Sequence, residues 1–347
     1  MAADRDMTTV QTSPVRSGPR RLHGGESVRC LARVFLLMLS QLAFAAPAEP
    51  IRIAVSQTPL SLPIYVADSQ GYFAAEGLTV RLNEVIGGPR AFQQMLDGTS
   101  DLATASEAVV MFNSFRRSDY AVVATFVTSD DDSKVVTRAD SGITRPDQLA
   151  GKTVATVSAS SSHYYLDSML LLNGVDPKSV KLRNLQPEAM VEALTKSEVD
   201  AIAIWEPFPY KALASLPGAK VLAKSGAYVM SFNLIARKQW CGVRGEDLVR
   251  LLRALDRAES FINTEPSRAQ AILRDRLQLD QGFVDWIWPR YKYRLALEQS
   301  LVRTLEAEAR WARREGHVKA EQALNYINFL YLPPLRSARP GAVTIVE

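Results

Sequence analysis

Two α/β lobes of similar build are predicted by three features of this 347-residue sequence. From residue 51 onward, apolar runs short enough for strands alternate with helical segments across Gly-, Pro- and Ser-containing loops. The run Ala91-Phe92-Gln93-Gln94-Met95-Leu96, followed by Asp101-Leu102-Ala103, is echoed by Ala189-Met190-Val191-Glu192-Ala193-Leu194 and then Val199-Asp200-Ala201. The length allows two modest domains, each with its own core. The expected class is α/β: each lobe a mostly parallel sheet flanked by helices, a two-strand hinge between them, and a helical C-terminal region.

Taken in order, residues 51–55 read as a buried strand, 56–62 as a polar loop and 63–75 as a helix that begins on proline. Gly77 suits a C-cap before a strand at 78–82. Gly87-Gly88-Pro89, a helix at 91–96 and a strand at 101–104 follow. The second block gives a strand at 152–157, a loop at 158–160 and a helix at 161–172 closed by Gly174. A strand at 182–185, a helix at 189–194 and a strand at 199–204 complete it. Strands at 122–127 and 134–137, around the polar turn Ser129-Asp130-Asp131-Asp132-Ser133, carry the chain from one lobe to the other, and 228–236 brings it back. The expected bounds are 46–130 with 232–347 for the first lobe and 131–231 for the second. Beyond residue 246 the spacing of Leu248, Leu251, Leu252, Leu255, Leu301 and Leu305 is helical. Trp286, Trp288, Trp311 and Phe329 are expected to pack those helices.

Residues 1–45 read as a leader. Arg29 and Arg33 precede an apolar run from Val34, and Ala43-Phe44-Ala45 offers small residues where a signal peptidase cuts. The run is shorter than the ~20 apolar residues of a membrane span. The long segment before Val28 fits a translation start near Val28. No cysteine stands directly after the run, so a lipid anchor is not expected; Cys30 leaves with the leader and Cys241 remains alone. The leader carries six arginines and three acids, so the 41 basic and 37 acidic residues of the chain fall to 35 and 34 without it. The pI near 9.0 therefore belongs mostly to the leader, and no nucleic-acid partner is expected.

The run Tyr65-Val66-Ala67 through Gly71-Tyr72-Phe73-Ala74-Ala75-Glu76-Gly77-Leu78 resembles the opening of type 2 periplasmic binding proteins of the nitrate/sulfonate/taurine group, which includes binders of a thiamine pyrimidine precursor. Gly87-Gly88 with Asp97-Gly98 and Asp101-Leu102-Ala103, Gly142-Ile143 with Asp147-Gln148-Leu149-Ala150-Gly151-Lys152-Thr153-Val154, and Trp205-Glu206-Pro207-Phe208 are similar to that group's later motifs, in order over residues 51–210. The resemblance implies a two-lobed type 2 periplasmic-binding-protein fold and a monomer, soluble in the periplasm. Such a protein closes on a small polar solute and passes it to the permease of an ABC importer. The implied solutes are an aliphatic sulfonate or taurine, nitrate, or an aminopyrimidine.

Helix N-termini suit oxyanions, because their free amides and positive dipole end face the ligand. Ser158-Ala159-Ser160-Ser161-Ser162-His163 opens the second lobe's first helix. Its four serines exceed what one N-cap needs, which favours ligand contact for Ser160, Ser161, Ser162 and His163. Gly87 and Gly88 allow a ligand close to the backbone, or form a plain turn. By resemblance, Ser56, Gln57, Thr58, Ser106 and Glu107 face the cleft from the first lobe, and Trp205 and Glu206 from the second. Trp205 either stacks on the ligand or serves the core. Glu107 and Glu206, unless salt-bridged outward, favour a ligand with an amino group.

An enzyme is not expected. Beyond the leader the histidines are His163 and His317, and no Cys, His or Asp cluster has metal-ligand spacing, so no metal and no cofactor are expected. Asp130-Asp131-Asp132 reads as a solvated turn, without the spacing of a calcium loop. Two alternatives remain: a pyrimidine-precursor synthase of the same fold, against which the leader argues, and a solute-sensing subunit of a signalling receptor.

Overall fold

The computed structural model describes residues 10–18, 49–222, 228–319 and 323–346. Residues Glu49–Glu347 form a compact unit. Most of the expected leader lies outside the described residues, and its segment 10–18 is exposed and without helix or strand.

Eleven strands are described: β1 Ile51–Ser56, β2 Val80–Val85, β3 Leu102–Ser106, β4 Tyr120–Ser129, β5 Ser133–Thr137, β6 Thr153–Thr156, β7 Lys181–Asn184, β8 Ala201–Trp205, β9 Lys220–Val221, β10 Met230–Arg237 and β11 Tyr291–Ala296. They form two sheets, one ordered β11-β4-β10-β3-β1-β2 and one ordered β7-β6-β8-β5-β9. Each sheet is mixed. β1 is parallel to β2 and β3, and β6 is parallel to β7 and β8. β4, β10 and β11 pair antiparallel in the first sheet, as β5 does with β8 and β9 in the second. Helix crossovers make parallel neighbours, whereas the strands flanking the passages between lobes run back against theirs.

The α-helices, numbered along the chain, are α1 Leu62–Ser69, α2 Tyr72–Ala75, α3 Gly88–Leu96, α4 Glu107–Ser114, α5 Ser161–Leu172, α6 Pro187–Thr195, α7 Phe208–Ser215, α8 Lys238–Val243, α9 Gly245–Thr264, α10 Pro266–Leu277, α11 Gln281–Ile287, α12 Gln299–Arg314 and α13 Pro333–Ala338. The helix expected over 63–75 is broken into α1 and α2 at Gly71, whose φ of 68° lies in the left-handed region. The C-terminal third is not all helix, because β11 extends the edge of the first sheet. Its residues alternate buried Tyr291 and Tyr293 with exposed Lys292 and Arg294, a strand period inside an otherwise helical stretch.

One apolar core runs through both lobes, and a smaller one joins Val136, Ile202 and Ile204 to Met190 and Leu194 of α6 beneath the second sheet. Trp311 and Phe329 are buried in the main core, as the sequence predicts. Trp286 and Trp288 are only partly buried against it. Among the described residues no helix is long and apolar enough to cross a membrane.

Candidate functional site

The strand ends that face each other across the two sheets enclose a cleft lined by Ser56, Thr58, Gly88, Ser106, Asp132, Ser160, Ser161 and Trp205, with Leu60, Pro89, Met230 and Phe232 as apolar walls. Its free volume is ≈ 20 Å³, room for about one water. The lobes are thus closed on one another.

Ser56 ends β1, Ser106 precedes α4 and Ser161 opens α5. None of these three hydroxyls has a hydrogen-bond partner among the described residues, although all three side chains are buried. Ser106 and Ser160, the N-cap residues of α4 and α5, make no side-chain cap, so their side chains leave the first-turn amides uncapped, although the Glu107 N–H that opens α4 turns to its own carboxylate. Thr58 lines the cleft while its hydroxyl accepts the Leu60 N–H at 3.4 Å. Gly87 has a φ of 91°, and a Cβ there would sit 3.4 Å from Cζ2 of Trp205. Trp205 therefore packs on first-lobe backbone across the cleft. Gly88 is needed differently: a Cβ would meet Ala105 Cα at 3.1 Å.

Several expected contacts fall elsewhere. Gln57 is exposed, with its amide donating toward Glu84 at 3.4 Å, because the alternation past the inward-facing Ser56 turns it to solvent. Ser162 is consumed by Thr156 Oγ1 at 3.1 Å and Ser160 Oγ at 2.9 Å, and the Ser160 hydroxyl donates to the Val157 carbonyl at 2.6 Å. Of the four serines, Ser161 alone lines the cleft with an unengaged hydroxyl. Glu107 accepts the Tyr228 hydroxyl at 2.5 Å and the Ser231 N–H at 2.8 Å, which ties α4 to the start of β10. Burial pushes its carboxyl up to about 7. Glu206 is fully buried beside Lys134 at 2.9 Å and accepts the Trp286 indole N–H at 2.9 Å and the Tyr210 N–H at 3.2 Å. Neither glutamate lines the cleft.

The acid that does line it is Asp132, in the turn read from the sequence as solvated. Asp131 and Asp132 are buried because the chain crosses between the sheets there. Asp131 pairs with Arg290, and Asp132 Oδ1 accepts the Tyr291 hydroxyl at 2.6 Å. Asp132 Oδ2 is buried without a partner among the described residues. Burial pushes this carboxyl up to about 7, against the pull of Tyr291 and Lys134. Tyr291 lies on the strand that the helical reading passed over, so the acid's setting was hidden with it.

His163 faces away from the cleft, into a second cavity of ≈ 240 Å³ shared with His317, Phe112, Asn113, Arg116 and Ser158. It packs on Trp311 and His317 at ring-centroid distances of 5.5 and 4.4 Å. The sequence spacing gave no metal-ligand cluster, yet the fold gathers His163, Asp167 and His317 with one ligand atom each inside 4.8 Å.

On the outer side, Arg90 of α3 pairs with Glu188 of α6 and donates to Gln186 Oε1 at 2.9 Å, bridging the lobes at an exposed rim. Among the described residues the cleft lining contains neither histidine nor cysteine, so its serines have no adjacent imidazole base.

Two mixed sheets closing over a polar cleft at their strand ends define the class: a two-lobed periplasmic-binding-protein fold. The alkanesulfonate-binding protein SsuA from Xanthomonas axonopodis pv. citri, solved bound to MOPS, matches with a TM-score of 0.73 at 18% identity, over 83% of this chain and 100% of that one. The NMT1/THI5 like family model matches residues 58–269, and the chain belongs to that family. A Bacillus subtilis (strain 168) protein provisionally named an aliphatic sulfonates-binding protein is 26% identical over 68% of this chain and 72% of its own. The taurine-binding periplasmic protein of Escherichia coli (strain K12) is 27% identical over 49% of this chain and 53% of its own. The fold is shared with an enzyme too: the desulfurization enzyme DSZB matches with a TM-score of 0.62 at 14% identity, over 84% of this chain and 99% of that one.

Proposed function

We propose that this protein is the periplasmic solute-binding component of an ABC importer, and that its solute is a small sulfonate carrying an amino group. The observation that carries the reading is the lining of the cleft. Unengaged hydroxyls of Ser56, Ser106 and Ser161 stand beside two uncapped helix N-termini, and the unpartnered Asp132 Oδ2 belongs to the same lining. Hydroxyls and helix amides stabilise an oxyanion by hydrogen bonds and by the dipole end. A buried carboxylate repels a bare anion and accepts hydrogen bonds from an ammonium group. A zwitterion with a sulfonate at one end and an ammonium at the other satisfies both, whereas nitrate leaves Asp132 unmatched.

A cleft with ≈ 20 Å³ free admits no sulfonate until the lobes part. Capture is then the bridging of the two half-sites by the solute, which stabilises the closed form by its differential affinity. A permease that reads the closed surface receives it. The names of the relatives support this reading over catalysis, and so does the absence of an imidazole from the described lining.

Calorimetric titration with taurine, ethanesulfonate and nitrate tests it at pH 6 and pH 8. Asp132 faces Lys134, Tyr291, Asp131 and Glu206, and its carboxyl protonates near pH 7 without a ligand. Taurine needs the ionised form, so its affinity falls by up to about tenfold per pH unit below 7. Asp132→Asn removes that pH dependence and the preference for taurine over ethanesulfonate. Ser106→Ala with Ser161→Ala weakens all sulfonates by about 10- to 100-fold, on the usual value of hydrogen bonds to charged groups. Ethanesulfonate binding as tightly as taurine refutes the amino group; no binding of any sulfonate refutes the solute class.

A further inference from the structure

We infer that His163, Asp167 and His317 form a binding site for a divalent transition cation of the zinc type, which bridges the two lobes on the far side of the α5 N-terminus from the cleft. His163 and Asp167 lie one turn apart on α5, so their side chains emerge from the same face. His317 reaches them from beyond the end of α12, and 150 residues of sequence separate it from Asp167. The three ligand atoms lie within 4.8 Å of one another. Around a tetrahedral zinc such atoms stand about 3.4 Å apart, so small side-chain rotations complete the set. Two imidazoles and one carboxylate suit zinc and its neighbours, and are ill-matched to calcium or magnesium, which take oxygen ligands.

Part of this cluster is left unmatched by protein among the described residues. Among the described residues, both ring nitrogens of the buried His163 and Oδ1 of the buried Asp167 have no hydrogen-bond partner. Buried polar atoms are nearly always paired, so unpaired atoms on two neighbouring residues of one helix face, one His163 nitrogen and Asp167 Oδ1, leave room for a cation to engage them. Asp167 Oδ2, by contrast, accepts the Trp311 indole N–H at 3.2 Å and meets His317 Nε2 at 3.3 Å. The Trp311 contact is the outer-shell hydrogen bond that fixes a ligating carboxylate. Access and a fourth coordination position come from the ≈ 240 Å³ cavity that touches both histidines, and its exposed Ser158 and Arg116 open it to solvent.

The placement gives the cation a mechanical role. α5 packs on β5 and β8 of the second sheet, while α12 packs on α4 of the first. A metal held by His163, Asp167 and His317 therefore ties one lobe to the other. It also pins the helix whose first residue, Ser161, lines the solute cleft. Cation and solute both favour closure, so each raises the affinity of the other by the same factor.

The test uses untagged full-length protein stripped with EDTA. Zinc titration by calorimetry is expected to show one site, and a hundredfold excess over Kd raises Tm by about 5 °C. Magnesium and calcium leave Tm unchanged. His317→Ala, on a partly exposed segment that tolerates truncation, lowers zinc affinity by more than about 100-fold, and Asp167→Asn acts in the same direction. Cobalt in place of zinc gives the visible absorption of a four-coordinate nitrogen–oxygen site, lost in His317→Ala. Zinc binding unchanged in His317→Ala overturns the assignment, as does no one-site binding to the unmutated chain. These readouts need no solute, so they stand apart from the sulfonate reading.

Discussion

Where the chain crosses between the sheets, Lys134 and Glu206 meet at 2.9 Å with 2% and 0% of their side chains exposed; at the outer rim, Arg90 and Glu188 meet with 43% and 39% exposed. Only the rim pair joins the two lobes directly; Lys134 on β5 and Glu206 just past β8 both belong to the second, which reaches the first through the neighbours of that pair. The buried pair sits inside a connected set: Trp286 donates to Glu206, Arg290 pairs with Asp131 and Tyr291 donates to Asp132. Desolvated charges in such a set are costly to separate, because each leaves the other uncompensated. The rim pair exchanges water for a partner and back at almost no cost. A molecule that must part its lobes at the mouth while keeping them joined at the back has its strong polar contacts where no parting is wanted.

The contrast is broken most directly by Glu206→Gln. Lys134 would then be buried beside a neutral amide, with the Asp131 carboxylate still 3.7 Å away, and a loss of about 3 kcal/mol is expected, seen as a Tm drop of about 6 °C. A drop below about 2 °C would mean that the back of the cleft is no firmer than the rim.

A gentler probe is pH. Burial holds Asp132 and Glu107 near pH 7, above the 3.8 and 4.5 of the free groups, and burial likewise raises Glu308, which faces Glu107. At these three carboxyls the folded chain therefore holds more protons than the unfolded one between about pH 4 and 7. Unfolding releases them, so stability from these groups falls as pH rises through that window, by up to about 1.4 kcal/mol per unit for each proton. Chemical denaturation at pH 5.5 and 7.5 should find the protein more stable at 5.5, with the difference reduced in Asp132→Asn.

The smallest effect is expected from Arg90→Ala. Stability should change by less than about 1 kcal/mol, and solute affinity by less than about fivefold. A larger loss would make the rim a true latch.

The fold was legible wherever local pattern and tertiary role agreed. The echoed strand–helix–strand blocks, the crossing at β4 and β5 and the return at β10 all follow from apolar runs and glycines. β11 was passed over because its four alternating residues, Tyr291 to Arg294, lie within a helical stretch and their buried face is set by β4, about 160 positions earlier. The cleft lining was legible at Ser106, Ser161, Gly88 and Trp205, which strand ends and helix starts place by themselves. Asp132 was misread because three consecutive aspartates look solvated until Lys134, Arg290 and Tyr291 surround two of them. The histidine pair was invisible for the same reason: spacing rules see neighbours in sequence, and His163 and His317 are neighbours only in space.

The position of β10 between β3 and β4 has a consequence for how the chain assembles. β3 and β4 are made early, yet neither can pair along that edge until residues 230–237 have emerged, after the whole second sheet. The lobe that comes first in the chain is thus completed last, while residues 133–221 form a continuous segment that pairs within itself. Until then the facing edges of β3 and β4 stay unpaired. The slow, long-range closure by β10 sets the time for which this chain needs protection from association with other copies.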